Sequence, residues 1–180
     1  MPRDVKTRHA QRVKSLQRLD FTYRGGPQDC EAVGYDPVSR HFVIITKRPS
    51  GGPAPFAGPA DVFLLPAVPP TGDVPRILDP VASIPGIQVT ACDVRADGGG
   101  VLLLTYRNAL WYLRHADEPW ANVFAAGHGQ WIRMPFRRQG ESVCFEPDGR
   151  HLFLTSEGVK QPVWRLAAPR STGTAQEDQP

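Results

Sequence analysis

The stretch EAVGYDPVSRHFVIITKR, from Glu31 to Arg48, recurs in two altered copies along this 180-residue chain. A close copy, ESVCFEPDGRHLFLTSEG, runs from Glu141 to Gly158, and a degenerate copy, TACDVRADGGGVLLLTYR, runs from Thr90 to Arg107. Each copy reads as a strand, a tight turn rich in acidic residues, Pro or Gly, and a second strand. In each copy the second strand reaches a threonine: Thr46, Thr105 and Thr155.

The recurring unit predicts an all-β fold, because strand units that return at roughly 40–60 residues are typical of β-propeller blades. In the first unit the predicted strands are 31–35, 42–47, 61–67 and 76–84. In the second they are 89–95, 101–106 and 109–114, with 120–126 or 131–135 as the fourth. In the third they are 141–145, 151–156 and 162–166, with no fourth strand.

The number of units predicts a partial propeller, because propellers close with about 4–8 blades. We expect about three four-stranded antiparallel blades over residues 19–168, with half of a six-bladed propeller as one arrangement. A lone strand at 19–23 reads as the outer strand of a preceding blade. A basic flexible arm is expected over 1–18 and a disordered tail over 169–180. Blade faces left open would be apolar patches that favour self-association.

The composition is that of a globular protein, with 41% hydrophobic and 22% charged residues. The net charge of +3 is modest and arises largely from the first 24 residues, so no nucleic-acid partner is expected. No apolar run approaches the ~20 residues of a membrane span, and no signal peptide is visible. The sequence as written therefore predicts a cytoplasmic protein without a transmembrane segment.

Several short sequence motifs together resemble one family of bacterial β-propellers that is related to WD40-like and phytase-like propellers. The function of that family is not established. The strings are D-x-E-A at 29–32, T-K-R at 46–48, V-T-A-x-D at 89–93, T-Y at 105–106, Q-G-E-S at 139–142 and T-S-E-G at 155–158. The resemblance covers residues 19–168 and implies a propeller fold.

Members of that family are longer than this chain, and the resemblance implies that the chain corresponds to their C-terminal half. Their N-terminal half carries further blades with D-x-E-D and G-D-I-G-D-N type motifs, neither of which occurs here. A longer form would carry any export signal in that half. The family also places Arg before its Thr-Tyr pair, where this chain has Leu104, so a role of that arginine does not transfer to Arg107.

Acidic residues open two of the predicted inner strands. Asp29 and Glu31 open the first unit and Glu141 opens the third, so all three would meet at the mouth of the central channel that inner strands line. Several carboxylates around one axis fit calcium, which takes 6–8 oxygen ligands. The resemblance to phytase-like propellers also implies calcium as a cofactor. The alternative is that these carboxylates cap turns or pair with cations: Lys47, Arg48 and Arg107.

Four further side chains are expected at the rim of the channel because they lie in the opening strand or at the ends of neighbouring strands: Lys47, Asp93, Arg107 and Glu157. Trp111 and Trp164 occupy matching third-strand positions, which favours packing between blades over a ligand platform. Ser142 lies in G-E-S-V, which lacks the G-x-S-x-G pattern of a hydrolase nucleophile. The widely spaced cysteines (30, 92 and 144) form no CxxC pair, which argues against zinc and for buried thiols.

Three functions stay open at this point. The first is a non-enzymatic propeller scaffold whose rim or channel binds a protein or a small ligand. The second is a metal-dependent hydrolase of phytase-like or esterase-like type that uses Asp29, Glu31 and Glu141. The third is a truncated gene product without independent function.

Overall fold

The structure, a computed structural model, describes residues 18–48, 59–69 and 74–170. The predicted basic arm, except for Arg18, lies outside the described residues, as does the predicted tail beyond residue 170. Within the described residues, the chain forms thirteen strands and one short helix.

The strands and the helix in chain order are β1 (Phe21–Tyr23), β2 (Asp29–Asp36), β3 (His41–Arg48), β4 (Ala60–Pro66), β5 (Arg76–Leu78), β6 (Ala82–Ile84), β7 (Val89–Val94), β8 (Gly100–Thr105), β9 (Ala109–Leu113), α1 (Trp120–Ala125), β10 (Gln130–Ile132), β11 (Gly140–Phe145), β12 (His151–Ser156) and β13 (Trp164–Ala167). Three antiparallel sheets follow this order: blade 1 is β2-β3-β4-β6, blade 2 is β7-β8-β9-β10, and blade 3 is β11-β12-β13. This confirms the predicted partial propeller.

The blades stack face to face through two apolar cores. Residues of β8 alternate between them, because successive side chains of a strand point to opposite faces. Val101 and Leu103 enter the core shared with blade 1, whereas Leu102 and Leu104 enter the core shared with blade 3. A strand buried on both faces explains the uninterrupted apolar run in the sequence. Trp111 lies in the second core, which confirms its predicted role in packing between blades.

The repeated threonines have one structural role in all three blades. Each stands at or near the end of the second strand and bonds to the backbone where the third strand approaches. Thr46 Oγ1 accepts from the Asp61 N–H at 2.8 Å, Thr105 Oγ1 accepts from the Asn108 N–H at 3.0 Å, and Thr155 Oγ1 donates to the Pro162 carbonyl at 3.0 Å. The recurring residue therefore ties the second strand to the third.

Two predicted fourth strands differ from the structure. Residues 76–84 are not one strand: β5 pairs in parallel with β1, and only β6 joins blade 1. Pro80 lies between them, and proline cannot donate to a strand ladder. The alternative strand at 120–126 is wrong, because Trp120–Ala125 is helical. The fourth strand of blade 2 is β10, which overlaps the other predicted segment at residues 131–132.

The sequence predicts large apolar patches on the two outer faces of the stack, and the structure shows what lies on each face. The lone strand β1 does not stand free: with β5 it covers blade 1, and the Tyr23 and Phe63 rings pack at 4.7 Å. On the free face of blade 3, Cys144, Phe153 and Arg165 stand in one row across the sheet. Cys144 and Arg165 are exposed, so the predicted burial of the thiols is wrong for Cys144. Self-association through this face stays a prediction.

Candidate functional site

The inner strands β2, β7 and β11 begin at one edge of the stack, which we name the opening rim, and end at the opposite edge, the hairpin rim. Each inner strand has a β-bulge where it begins. The irregular pairing leaves Glu31, Thr90 and Glu141 as the extra residues of their strands. Bulges re-aim side chains and are common beside functional sites, so the opening rim is the candidate site.

Glu31 of blade 1 is held by an ion pair. Lys47 Nζ donates to Glu31 Oε2 at 2.6 Å and lies 5.1 Å from the centre of the Tyr106 ring in blade 2. Burial lowers the pKa of Lys47, but the bonds with Glu31 and Tyr106 outweigh it, so the net shift is upward. Lys47 is therefore a charged link between two blades.

The other two bulge residues also bond locally. Thr90 Oγ1 donates to the Gly140 carbonyl at 2.7 Å, which joins β7 to β11. Glu141 Oε1 accepts from Gln139 Nε2 at 2.9 Å. Thr90 stands between the two glutamates in the order of strands, so blade 2 places a hydroxyl where blades 1 and 3 place carboxylates.

The predicted calcium ligands lie on the same rim but do not form a compact cluster. Asp29 and Glu31 belong to β2, and Glu141 to β11. In residues 18–48, 59–69 and 74–170, the one group of three acidic, His or Cys ligands within 4.8 Å of one another lies elsewhere. A calcium site at Asp29, Glu31 and Glu141 therefore stays a prediction.

That compact group consists of Glu146, Asp148 and His151 at the hairpin rim. Arg165 already supplies positive charge to it, since its Nε and Nη2 donate to the two Glu146 oxygens at 2.7 and 3.0 Å. The bond from Arg165 lowers the pKa of Glu146. The arrangement is a partly exposed ion-pair cluster.

The remaining predicted rim residues occupy different settings. Asp93 lies within β7, where its Oδ2 accepts from the Phe145 N–H of β11 at 2.7 Å. Burial raises the pKa of Asp93, and two backbone N–H bonds offset only part of this. Arg107 stands on the turn between β8 and β9, and the Glu157 N–H donates to the Gln139 carbonyl at 2.8 Å. Arg107 and Glu157 therefore lie at the opening rim, and their position at the mouth of a channel stays a prediction.

The sequence gives no signal for Arg137, which is 2% exposed. Its Nη1 donates to the Pro135 carbonyl at 3.1 Å, and its Nη2 lies 3.5 Å from the Thr105 carbonyl. Its Nε is buried and has no hydrogen-bond partner within the described part of the chain. Burial lowers the pKa of this guanidinium. A buried cation without a carboxylate is unusual in a protein interior.

An open cleft of about 300 Å³ lies at the opening rim, between blade 2 and the segment that leads out of blade 1. The residues that line it come from three separate segments: 86–88, 105–108 and Trp131. The Trp131 side chain is 58% exposed. A second cleft of about 240 Å³, lined by apolar residues near α1, shares Ile87 and Trp131 with the first.

The hairpin rim holds a contrasting group of buried polar residues. Asp36 is fully buried and accepts bonds from Arg114 Nη1 at 2.9 Å and Trp120 Nε1 at 2.8 Å. Burial raises the pKa of Asp36, but bonds from Ser39, Trp120 and Val38 reverse the effect, so the net shift is downward. This network joins the first hairpin turn to blade 2 and α1.

The fold is similar to solved propeller-type proteins. A predicted 6-phosphogluconolactonase from Bacteroides uniformis matches with a TM-score of 0.50 and 12% identity, over 89% of this chain and 44% of that one. Sqt1 from Saccharomyces cerevisiae has a TM-score of 0.47, 11% identity and coverage of 77% and 31%. Kuenenia stuttgartiensis hydrazine synthase has a TM-score of 0.46, 12% identity and coverage of 77% and 34%.

At these identities, the likeness to the predicted lactonase shows the fold alone. No protein-family model matches the chain, and no curated protein matches it in sequence. The chain spans less than half the length of each of the three solved proteins. No helix in the described residues has both the length and the apolar character needed to cross a membrane. The chain is therefore similar to part of a β-propeller.

Proposed function

We propose that this chain is part of a propeller-type binding scaffold, and that the opening rim holds its ligand or protein partner. In this reading the chain presents a recognition surface and does not itself catalyse a reaction. The propeller fold provides the rigid support, because the rim residues stand on strands whose faces are buried in two cores.

The observation that carries this proposal is the exposed stretch that runs from β10, the last strand of blade 2, to the start of blade 3. It includes Trp131 and Phe136, which are 58% and 82% exposed, and the exposed arginines Arg133 and Arg138. Aromatic residues and arginine are enriched where proteins bind partners. Large exposed aromatic side chains beside a cleft therefore support recognition at this rim.

The polar groups of the rim support binding over catalysis. Glu31 is paired with Lys47, and Thr90 is bonded to Gly140. A general base must reach the proton that it removes, whereas these groups already hold neighbouring blades together. Their role in this proposal is to keep the rim in shape.

The test is a nuclear magnetic resonance titration of the isotope-labelled chain with small aromatic acids, amines and neutral aromatic compounds. We expect the largest shifts at the Trp131 indole and at the backbone amides of 105–108. The Trp131→Leu variant should remove these shifts, whereas Tyr35→Leu, which alters another exposed aromatic residue, should retain them. Shifts confined to the hairpin turns, or no shifts at all, would refute the proposal.

A metal-dependent hydrolase is the second candidate, and the shared position of Asp29, Glu31 and Glu141 at the opening rim favours it. These carboxylates would hold calcium, and the substrate would be a phosphate ester. The test is hydrolysis of p-nitrophenyl phosphate with and without calcium. Turnover that requires calcium and disappears in the Glu31→Gln and Glu141→Gln variants would favour this candidate over the scaffold.

A further inference from the structure

The cleft beside Trp131 is polar and cationic on one side. Arg107 lines it and pairs with no carboxylate within the described residues. Gln88 and Asn108 add amide groups that can donate hydrogen bonds. None of the described residues that line the cleft is acidic. The cleft therefore offers donors and positive charge without a competing carboxylate.

A second positive charge lies behind the wall of this cleft. The Arg137 guanidinium approaches the carbonyl of Thr105, which lines the cleft. Gly140 packs directly against Arg137, since a β-carbon at that position would lie 2.5 Å from Nε. A buried charge without a counter-ion is poorly screened, and its field extends into nearby low-dielectric space. An anion in the cleft would supply the counter-charge that the described residues do not.

Trp131 provides the other half of the recognition surface. Its indole is more than half exposed and borders the cleft, so it presents a flat face on which a planar ring can stack. The volume of about 300 Å³ is at the small end of the range of ligand pockets. The space fits one ring and one attached group.

We propose that this cleft binds a small molecule made of a planar ring that bears an anionic group, either a phosphate or a carboxylate. The ring stacks on Trp131, and the anion bonds to Arg107 in the field of Arg137. The inference rests on the proposed function, because it assigns a ligand class to the same rim.

The experiment is calorimetric titration of the full chain with four probes: phenyl phosphate, benzoate, phenol and inorganic phosphate. Phenyl phosphate or benzoate should bind at least tenfold more tightly than phenol, because a hydrogen bond to a charged group contributes about that factor. Inorganic phosphate should bind more weakly than phenyl phosphate because it lacks the ring. Tighter binding of phenyl phosphate identifies a phosphate ligand, and tighter binding of benzoate identifies a carboxylate.

Two variants separate the anion from the ring. Arg107→Gln should weaken the preferred anionic probe about tenfold and leave phenol unchanged. Trp131→Leu should weaken both. Arg150→Gln is the matched control, because Arg150 is exposed at the hairpin rim, far from the cleft in the sheet order, and should change neither.

The outcomes distinguish this inference from the proposed function. If phenol binds at Trp131 as tightly as the anionic probes, the inference is wrong but the rim is still a binding site. The inference is also wrong if Arg150→Gln weakens binding as much as Arg107→Gln. If no probe binds and the wider set of aromatic compounds causes no shifts at the opening rim, both proposals fail.

Discussion

At each rim of the stack stands one arginine whose side chain has little exposure to solvent, and the surroundings of the two differ. At the hairpin rim, Arg114 Nη1 bonds to the buried carboxylate of Asp36 at 2.9 Å, and its Nε donates to the Glu118 carbonyl at 2.6 Å. At the opening rim, Arg137 has only carbonyl oxygens as acceptors, and its Nε has no partner in the described residues.

This difference indicates that Arg114 has a structural role, whereas Arg137 belongs to a candidate binding site. The pair of Asp36 and Arg114 satisfies itself and joins blades, so its removal should harm folding. Among the described residues, no carboxylate pairs with Arg137, and its Nε has no hydrogen-bond acceptor. A buried charge of that kind is costly unless it is paired, and an anion at the nearby cleft would pair with it.

The largest expected effect is at the hairpin rim. Asp36→Ala should lower the free energy of unfolding by about 3–5 kcal/mol, because it leaves the Arg114 charge buried and unpaired. Urea unfolding followed by circular dichroism measures this. Asp79→Ala, which breaks the exposed pair with Arg24, is the control and should leave stability unchanged.

A double variant sharpens that prediction. Asp36→Ala with Arg114→Met removes both charges, so it should be more stable than Asp36→Ala alone. Equal stability of the single and double variants would show that the buried Arg114 charge is not the cause of the loss.

The next effect concerns Asp93, a partly buried acid that no described cation neutralises. Burial raises its folded pKa, so its contribution to stability is present below the ordinary carboxyl pKa of about 3.9 and is lost as the pH rises through the folded value. The Asp93→Asn variant should therefore become more stable relative to the wild type between pH 4 and pH 7.

Asp36 should behave in the opposite way, since its folded pKa is lowered. Its contribution is present above about pH 4 and is lost as the pH falls through the folded value. Urea unfolding of the wild type, Asp93→Asn and Asp36→Ala at several pH values measures both trends. If the difference in stability between the wild type and Asp93→Asn does not change with pH, the raised pKa of Asp93 is contradicted.

A smaller effect is expected at Arg137. Arg137→Met keeps most of the buried volume and removes an unpaired charge, so the free energy of unfolding should change by less than about 1 kcal/mol. Urea unfolding measures it. A loss as large as that of Asp36→Ala would show that Arg137 is a structural residue like Arg114, and the contrast between the two rims would fail.

The smallest effect is expected from calcium. With Glu31 held by Lys47, we expect saturating calcium to move the melting temperature by less than about 1 °C. A site filled at a hundredfold excess over its Kd would instead raise it by about 5–10 °C. Such a rise, lost in the Glu31→Gln and Glu141→Gln variants, would support the hydrolase and its predicted metal ligands.

The strand pairs could be predicted from the sequence because their signals are local. The apolar runs at 42–47 and 101–106 are bounded by turns, and the structure places β3 and β8 there. The helix also had a local signal that strand propensity obscured. Trp120, Val123 and Phe124 follow Pro119 at helical spacing and are buried together. Their spacing therefore outweighs the preference of aromatic and β-branched residues for strands.

The candidate cleft could not be predicted, because its parts come from segments that are distant in the sequence. Residues 86–88, 105–108 and Trp131 meet only when blade 2 is assembled. Arginine is ordinarily exposed, so nothing in the sequence marks Arg137 as buried. Glu31 and Glu141 could be placed at one rim from the repeat, and Lys47 is one of three cations expected to pair with these carboxylates. The choice of Lys47 as the partner of Glu31 depends on strand register.

The most direct test of the contrast between the rims is titration of phenyl phosphate into the wild type and Arg137→Met, with unfolding measured on the same samples. We predict that the variant keeps its stability and binds about fivefold more weakly, since a buried charge near the cleft contributes roughly 1 kcal/mol at the effective dielectric of a protein surface. Equal affinity in the two proteins would show that Arg137 does not act on the cleft and would contradict the proposal.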